Sequence, residues 1–278
     1  MRGKKVQLLS APYGSALAQE KHRLGDDYNE NTAIRRVMAA NAKYADIVMA
    51  ATFGARNLLR EEGGVDAFRR QINLQADFLL NAVGFEKVHG FFLGPYAKNC
   101  YDGSLINSAD AKDFHGEQLI ALQDFDCLPW FETFPTINDA VGAAMAARKH
   151  ARDVAINFVV GNDGNLKSGE SVTAAIRACE SFAGGFVRYY GVNCCSYEGA
   201  RKAFENDQTG RLNVFYMNGS DQDPATLEGS CEVVKEDVRG RISQIEYLID
   251  NFPQVAAVGG CCGFEIGDLA MLSTRLRK

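Results

Sequence analysis

Short apolar, β-branched runs alternate with longer segments of helical period from one end of the chain to the other. The strand-like runs are Val6–Ala11, Asp46–Phe53, Lys87–Leu93, Leu128–Phe134, Val154–Val160, Phe186–Cys194, Leu212–Met217 and Val255–Cys261. Between them the period of apolar positions predicts helices over Thr32–Tyr44, Asp66–Asn81, Asp110–Gln123, Asn138–His150, Ser171–Phe182, Tyr197–Glu205 and Val238–Asn251, with a last one over Ile266–Arg277. Some boundaries have visible local causes. Thr136-Ile137-Asn138-Asp139 offers capping side chains to an alanine-rich helix, and Ser168-Gly169-Glu170-Ser171 does the same for the next. Gly184-Gly185 and Asp207–Gly210 break the chain before two strands, and Asp221-Gln222-Asp223-Pro224 opens a longer polar loop.

Eight strands each followed by a helix is the (β/α)8 pattern, and 278 residues suit one such domain, spanning 1–278. A doubly wound open sheet shares the alternation, but the glycine-rich phosphate fingerprint of that class is absent. No linker, composition shift or internal repeat argues for a second domain. The expectation is a TIM barrel, which places its active site at the C-terminal ends of the strands.

The hydrophobic fraction of 46 % and charged fraction of 23 % suit a globular protein with a full core. The net charge of −5, with no basic patch, argues against a nucleic-acid partner. No apolar run reaches the length of a membrane span, and the basic start Met1-Arg2-Gly3-Lys4-Lys5 is not followed by a signal-peptide core. A cytoplasmic location is the expectation, with a monomer or simple homodimer, since the chain ends shortly after its last helix.

The eight cysteines are scattered through a long chain, where metal binding or catalysis is a commoner use than a disulfide framework. Cys100, Cys127, Cys179 and Cys231 lack ligand spacing and read as packing or surface thiols. The remaining pattern is different. Gly259-Gly260-Cys261-Cys262-Gly263 ends the last strand, and Asn193-Cys194 ends the sixth. Neighbouring residues of a strand face opposite ways, so Cys261 and Cys262 reach one ion only if the backbone leaves strand geometry between them, which the glycines permit. Strands six and eight share parity, so Cys194 can converge with the pair at the barrel mouth. Three thiolates suit Zn2+, with a fourth position open; copper(I) is also soft enough, and a vicinal disulfide or plain packing are the non-metal readings. With three thiolates the ion carries a net −1, which makes it a poor activator of water but able to bind a fourth thiol as thiolate, the nucleophilic form of sulfur.

With these residues the chain resembles the zinc-dependent homocysteine S-methyltransferase family, through Gly191-Val192-Asn193-Cys194 and Gly259-Gly260-Cys261-Cys262-Gly263. Weaker matches are Ala45-Asp46-Ile47-Val48 with Thr52-Phe53, Leu93-Gly94-Pro95-Tyr96, Phe131-Glu132-Thr133-Phe134-Pro135 and Ser168-Gly169-Glu170-Ser171. The resemblance implies zinc on Cys194, Cys261 and Cys262, an acceptor thiol as fourth ligand, most simply homocysteine, and direct methyl transfer from an onium donor. S-methylmethionine, S-adenosylmethionine and betaines are such donors. Glu132 matches the glutamate that holds the acceptor's amino group, against a plain loop carboxylate; Asn193 either orients substrate or caps its strand end.

There is a departure at strand one, where Ser10 stands in place of the family's aspartate, itself a binder of the acceptor ammonium. The Thr-Asn-Thr element after strand two reads Ala50-Ala51-Thr52. A different thiol acceptor, or a metal or thiol-metabolite sensor without turnover, are therefore the alternatives. Aromatic faces would suit an onium group, and Tyr13, Phe53 and Tyr96 are the candidates at strand ends, with Phe134 and the mid-strand Trp130 behind them. Of the histidines, His89 falls in a strand, while His22, His115 and His150 read as surface residues without ligand spacing.

Overall fold

The computed structural model describes residues 5–84, 87–222, 226, 235 and 237–277. Its strands are β1 (Gln7–Leu8), β2 (Ile47–Ala50), β3 (Val88–Leu93), β4 (Leu128–Phe134), β5 (Val154–Phe158), β6 (Val187–Cys195), β7 (Leu212–Met217) and β8 (Ala257–Gly260). They form one all-parallel sheet in the order β1-β8-β7-β6-β5-β4-β3-β2. Its two ends meet: Leu9 bridges Ile47 in parallel, and Asp46 N–H donates to the Leu8 carbonyl at 2.7 Å. Ser10 sits in this seam, its hydroxyl oxygen accepting from Met49 N–H at 3.0 Å. The fold is thus the expected (β/α)8 barrel.

The helices are α1 (Tyr13–Leu24), α2 (Glu30–Ala42), α3 (Gly64–Val83), α4 (Ser108–Ile120), α5 (Ile137–Lys149), α6 (Val172–Ala183), α7 (Tyr197–Asn206), α8 (Val238–Asn251) and α9 (Ile266–Leu276). Capping follows the side chains that the sequence offers. Thr136 accepts from Asp139 N–H, Ser171 from Ala174 N–H and Ser196 from Gly199 N–H, each at 3.0–3.2 Å. The alanines of α5 (Ala140, Ala143, Ala144, Ala146 and Ala147) are all fully buried, so this helix packs at close range between α4 and α6. Helix α1 and two 3₁₀ runs, Gly25–Asp27 and Phe53–Arg60, were not foreseen. Helix α1 presents a mostly polar sequence whose buried residues are confined to its first turn, so its apolar period is too weak to read. A 3₁₀ run over Phe53–Arg60 replaces the expected end of strand two.

Inside the barrel, Trp130 of β4 stacks on Tyr189 of β6 and meets Tyr216 of β7 edge-on, and Tyr189 Oη donates to Gln7 Oε1 across the barrel at 3.1 Å. Outside, Phe131 and Phe134 pack on His115 of α4, and Phe204 of α7 packs edge-on to Phe215 of β7. His115 was expected at the surface. It is fully buried instead, because it faces α5 and pairs there with Asp139 at 2.7 Å, while Gln118 bonds its other ring nitrogen at 3.0 Å. Among the described residues no helix is long and apolar enough to cross a membrane.

Candidate metal centre

Two backbone irregularities shape the mouth of the barrel. Thr133 at the end of β4 and Cys194 at the end of β6 have φ of 57° and 48°, the left-handed region that residues with a Cβ seldom adopt. Each coincides with a slip in strand register, between Phe131 and Phe134 in one case and between Asn193 and Cys195 in the other. These are β-bulges, which re-aim side chains at strand ends. In β4 the bulge leaves Glu132 on the inner face with Trp130 and turns Phe134 outward with Phe131. That is why Phe134 packs on His115 and is fully buried, away from any ligand. In β6 it lets Asn193 and Cys194, adjacent in sequence, both serve the mouth.

The pair on β8 is placed by a turn. The strand ends at Gly260, Cys261 N–H still donates to the Met217 carbonyl at 2.8 Å, and Phe264 N–H closes back on the Cys261 carbonyl at 2.9 Å. Cys262 and Gly263 are the central residues of this turn, with Gly263 at φ 81° where glycine is favoured. The turn is pinned on both sides: the Cys262 carbonyl accepts from Gly219 N–H at 2.7 Å, and Gly263 N–H donates to Ser15 Oγ at 3.0 Å. Gly259 and Gly260 keep ordinary backbone angles and serve by being small, since the rings of Tyr216 and Phe264 occupy the space of their missing Cβ atoms.

As a result the sulfurs of Cys194, Cys261 and Cys262 all lie within 4.8 Å of one another. All three are unbridged thiols, graded from buried Cys194 through Cys261 to exposed Cys262, so the cluster opens on one side. In a tetrahedral zinc site with bonds near 2.3 Å the sulfurs stand about 3.8 Å apart, so ångström-scale side-chain adjustment would close them on one ion. The donor set therefore fits a soft metal ion with a fourth position free. Hydrogen bonds within the trio divide its proton affinities. Bonds with Cys261 and Cys262, together with burial, raise the Cys194 thiol well above its ordinary value. At Cys261 the bond with Cys194 works the other way, but the bond with Cys262, burial and neighbouring charge leave it raised. Cys262, favoured as a thiolate by its bonds with Cys194 and Cys261, is pulled well below.

Glu132 reaches the same mouth. Burial, and secondarily the charge of Cys262, push its carboxyl well above the ordinary range. Asn193 is fully buried; its Oδ1 accepts from Thr133 N–H at 2.9 Å, and its Nδ2 has no partner among the described residues. The aromatic candidates are less central. Tyr13 is buried, with its hydroxyl donated to the Met49 carbonyl at 2.6 Å. One face of Phe53 is covered by the Arg56 guanidinium, 4.3 Å from the ring centre. Tyr96 packs edge-on to Phe114 and lines a cavity of about 460 Å³ with Arg60, Lys98 and Asn99. Trp130 is sealed in the barrel. Of the other cysteines, Cys179 is core, Cys127 bonds Arg152 and Cys100 bonds Arg56; Cys231 lies outside the described residues. Tyr101, in the β3–α4 loop, carries no signal in the sequence, yet its phenol feels the charge of all three clustered thiols.

The parallel barrel thus gathers three thiols and a buried carboxylate at the C-terminal ends of its strands, the end at which barrel enzymes carry their active sites. The chain belongs to the homocysteine S-methyltransferase family, whose model matches residues 11–276, and it is a methyltransferase of that family. No curated protein matches it in sequence. Its fold is similar to that of the homocysteine methyltransferase MmuM from Escherichia coli. The metallated form of that protein is 17% identical with a TM-score of 0.72, over 98% of this chain and 96% of the other. The oxidized form is also 17% identical, with a TM-score of 0.73 over 99% and 97% of the two chains. The apo form is 18% identical, with a TM-score of 0.68 over 98% and 96%.

Proposed function

We propose that the protein transfers a methyl group from an onium donor to homocysteine, with the acceptor sulfur bound to a zinc ion held by Cys194, Cys261 and Cys262. The observation that carries this reading is the convergence of those three sulfurs within 4.8 Å, on two strand ends far apart in sequence. A bound zinc ion would supply a site at which a thiol loses its proton at neutral pH and remains nucleophilic.

The chain's own residues do the rest. The opening of the cluster toward exposed Cys262 leaves one direction of approach for the acceptor. Glu132, buried at the mouth, can receive the acceptor's ammonium, and a cation there would return its raised carboxyl toward the ionised form. Asn193 Nδ2, buried and without a partner among the described residues, offers a donor to the acceptor's carboxylate or sulfur. Ser10 gives its hydroxyl to the β1–β2 seam and supplies no charge, so the ammonium falls to Glu132. Holding sulfur and methyl carbon in line accounts for much of the rate in such a displacement. A reducing compartment such as the cytoplasm would keep the thiols free, and the two small substrates need no macromolecular partner.

The buried seam position of Ser10 also favours a second reading within the same chemistry, in which a thiol other than homocysteine is the acceptor. Metal analysis of the wild type against Cys194→Ser, followed by a panel of thiols with isotopically labelled S-methylmethionine, S-adenosylmethionine and betaine, tests both. About one zinc per chain in the wild type, lost in the variant, with methyl transfer to homocysteine, is expected. Full zinc in the variant would remove the metal assignment. Transfer to another thiol in preference to homocysteine would favour the second reading, and binding without turnover would make the protein a sensor.

A further inference from the structure

The 3₁₀ run Phe53–Arg60 and the loop between β3 and α4, residues 94–107, border a cavity of about 460 Å³. Arg60 is built into its wall. The guanidinium lies 4.8 Å from the centre of the Phe114 ring, Nη2 donates to the Tyr96 carbonyl, and Nη1 donates to the Arg56 carbonyl at 3.3 Å and to Asn57 Oδ1 at 3.4 Å. These bonds leave part of its donor fork unused. Tyr96 packs edge-on to the same Phe114 ring, and Asp139 fixes the loop there by accepting from Tyr96 N–H at 3.1 Å and Ala97 N–H at 2.9 Å. Lys98 brings a second positive charge to the cavity and Asp102 a negative one. Ser104 places that carboxylate, its N–H and hydroxyl both donating to Asp102 Oδ1, at 2.9 Å and 2.6 Å, so that Oδ2 has no partner among the described residues.

The charges on this cavity do not cancel one another. Among the described residues neither Arg60 nor Lys98 makes an ion pair with any carboxylate, Asp102 included. Burial, and then the neighbouring Arg56, lower the proton affinity of Arg60, a penalty that an incoming anion relieves. A guanidinium fork suits a carboxylate, which it can hold by paired hydrogen bonds. Asp102 on the same lining repels a multiply charged anion but attracts an ammonium. Tyr96 and Ile106 add aromatic and apolar surface. The volume falls in the range of small-molecule sites, about 300–1,000 Å³. Separate positive and negative poles with an apolar wall are the complement of a small zwitterion.

We propose that this cavity binds the zwitterionic head of an α-amino acid, with Arg60 and Lys98 taking the carboxylate and Asp102 the ammonium. S-methylmethionine and S-adenosylmethionine carry such a head, whereas a betaine has no N–H to offer Asp102. The occupant is thus an amino-acid methyl donor or a free amino acid. The binding site stands on the cavity alone, and only its assignment to the donor rests on the methyl-transfer reading.

Calorimetric titration of S-methylmethionine into the metal-free protein reads the site, with the des-amino analogue of the same sulfonium as the comparison. The wild type should bind the amino acid more tightly than the analogue, by roughly fivefold. Asp102→Asn keeps the acceptor oxygen for Ser104 and removes only the charge, so it should abolish that preference and leave the analogue's affinity as it was. Lys98→Ala should weaken both ligands by roughly fivefold. Arg60→Lys keeps the charge but loses the fork, and should weaken both by roughly tenfold. Glu132→Gln, at the thiol mouth, should change none of these values. No binding, equal affinity for the two ligands in the wild type, or loss of binding in Glu132→Gln with Asp102→Asn unaffected would overturn the proposal. Initial rates of the zinc-loaded enzyme then separate the two sources. A donor KM raised in Asp102→Asn by the factor lost in Kd makes the occupant the methyl donor, and an unchanged KM beside that lost affinity makes it a free amino acid; both outcomes support the binding site. Absence of methyl transfer in the wild type would instead sink the methyl-transfer reading and leave the binding result standing.

Discussion

Thr133 N–H donates to Asn193 Oδ1 at 2.9 Å, tying the bulge at the end of β4 to the bulge at the end of β6. The residue before Thr133 is the buried carboxylate Glu132, and the residue after Asn193 is the thiol Cys194. One hydrogen bond between two left-handed strand ends thus fixes the relative placement of the acid and the sulfur. Each such backbone conformation costs of order 1–3 kcal/mol and persists where the surroundings impose it. Here the imposition is mutual.

Asn193→Ala should therefore do more than remove an amide. It leaves Thr133 N–H buried and unpaired, a cost of about 1–3 kcal/mol, which denaturant titration will show as a lower midpoint at unchanged slope. Because Cys194 loses its register with Glu132, metal affinity should fall as well. Unchanged stability and affinity together would mean that the two bulges are independent.

Zinc should stabilise the wild-type protein and do little for a chain with one cluster cysteine removed. Binding to the folded state alone adds about 4 kcal/mol when free metal is a thousandfold above Kd. Thermal unfolding with and without zinc should then show a large rise in Tm for the wild type, a small one for Cys261→Ser, and the full rise for Cys127→Ser, whose thiol bonds Arg152 outside the cluster. An equal rise in all three would place the ion elsewhere.

The architecture was legible because parallel strands buried on both faces read as short β-branched runs, and helices between them carry an apolar period. Helix α1 escaped because it packs only through its first turn, around Tyr13, Ser15 and Ala16, and leaves the rest polar. The cysteine cluster was legible because its thiols sit at strand ends in short, glycine-rich segments. Its surroundings were not. The outward turn of Phe134 follows from a register slip at Thr133, and the burial of His115 follows from an aspartate 24 residues away.

Gly260→Ala should disable the site without touching a ligand. The added Cβ would stand 1.8 Å from the ring of Phe264, which is fully buried and cannot swing clear. Overpacking of this kind costs about 1–3 kcal/mol, and here the strain falls on the turn that carries Cys261 and Cys262. Both a lower Tm and weaker zinc binding are expected. A drop in stability with metal affinity intact would show that the turn is less rigid than its hydrogen bonds to Gly219 and Ser15 imply.

Glu132→Gln should trade function for stability. Burial and the nearby Cys262 raise this carboxyl above its unfolded value, so the metal-free folded state binds a proton that the unfolded chain gives up at lower pH. The contribution of Glu132 to stability is complete below the unfolded pKa and is lost as pH rises toward the raised folded one. The glutamine variant, free of that loss, should match the wild type in acid and exceed it at neutral pH when both are metal-free. Activity should move the other way. A charge-assisted hydrogen bond to the acceptor ammonium is worth about 1.5–3 kcal/mol, so KM for the acceptor should rise on the order of tenfold to a hundredfold with zinc content unchanged. Denaturant titrations across pH and initial rates at varied homocysteine check the two halves independently. A variant less stable than the wild type at neutral pH would show that the acid is already satisfied in the free protein, and an unchanged KM would remove Glu132 from the acceptor site.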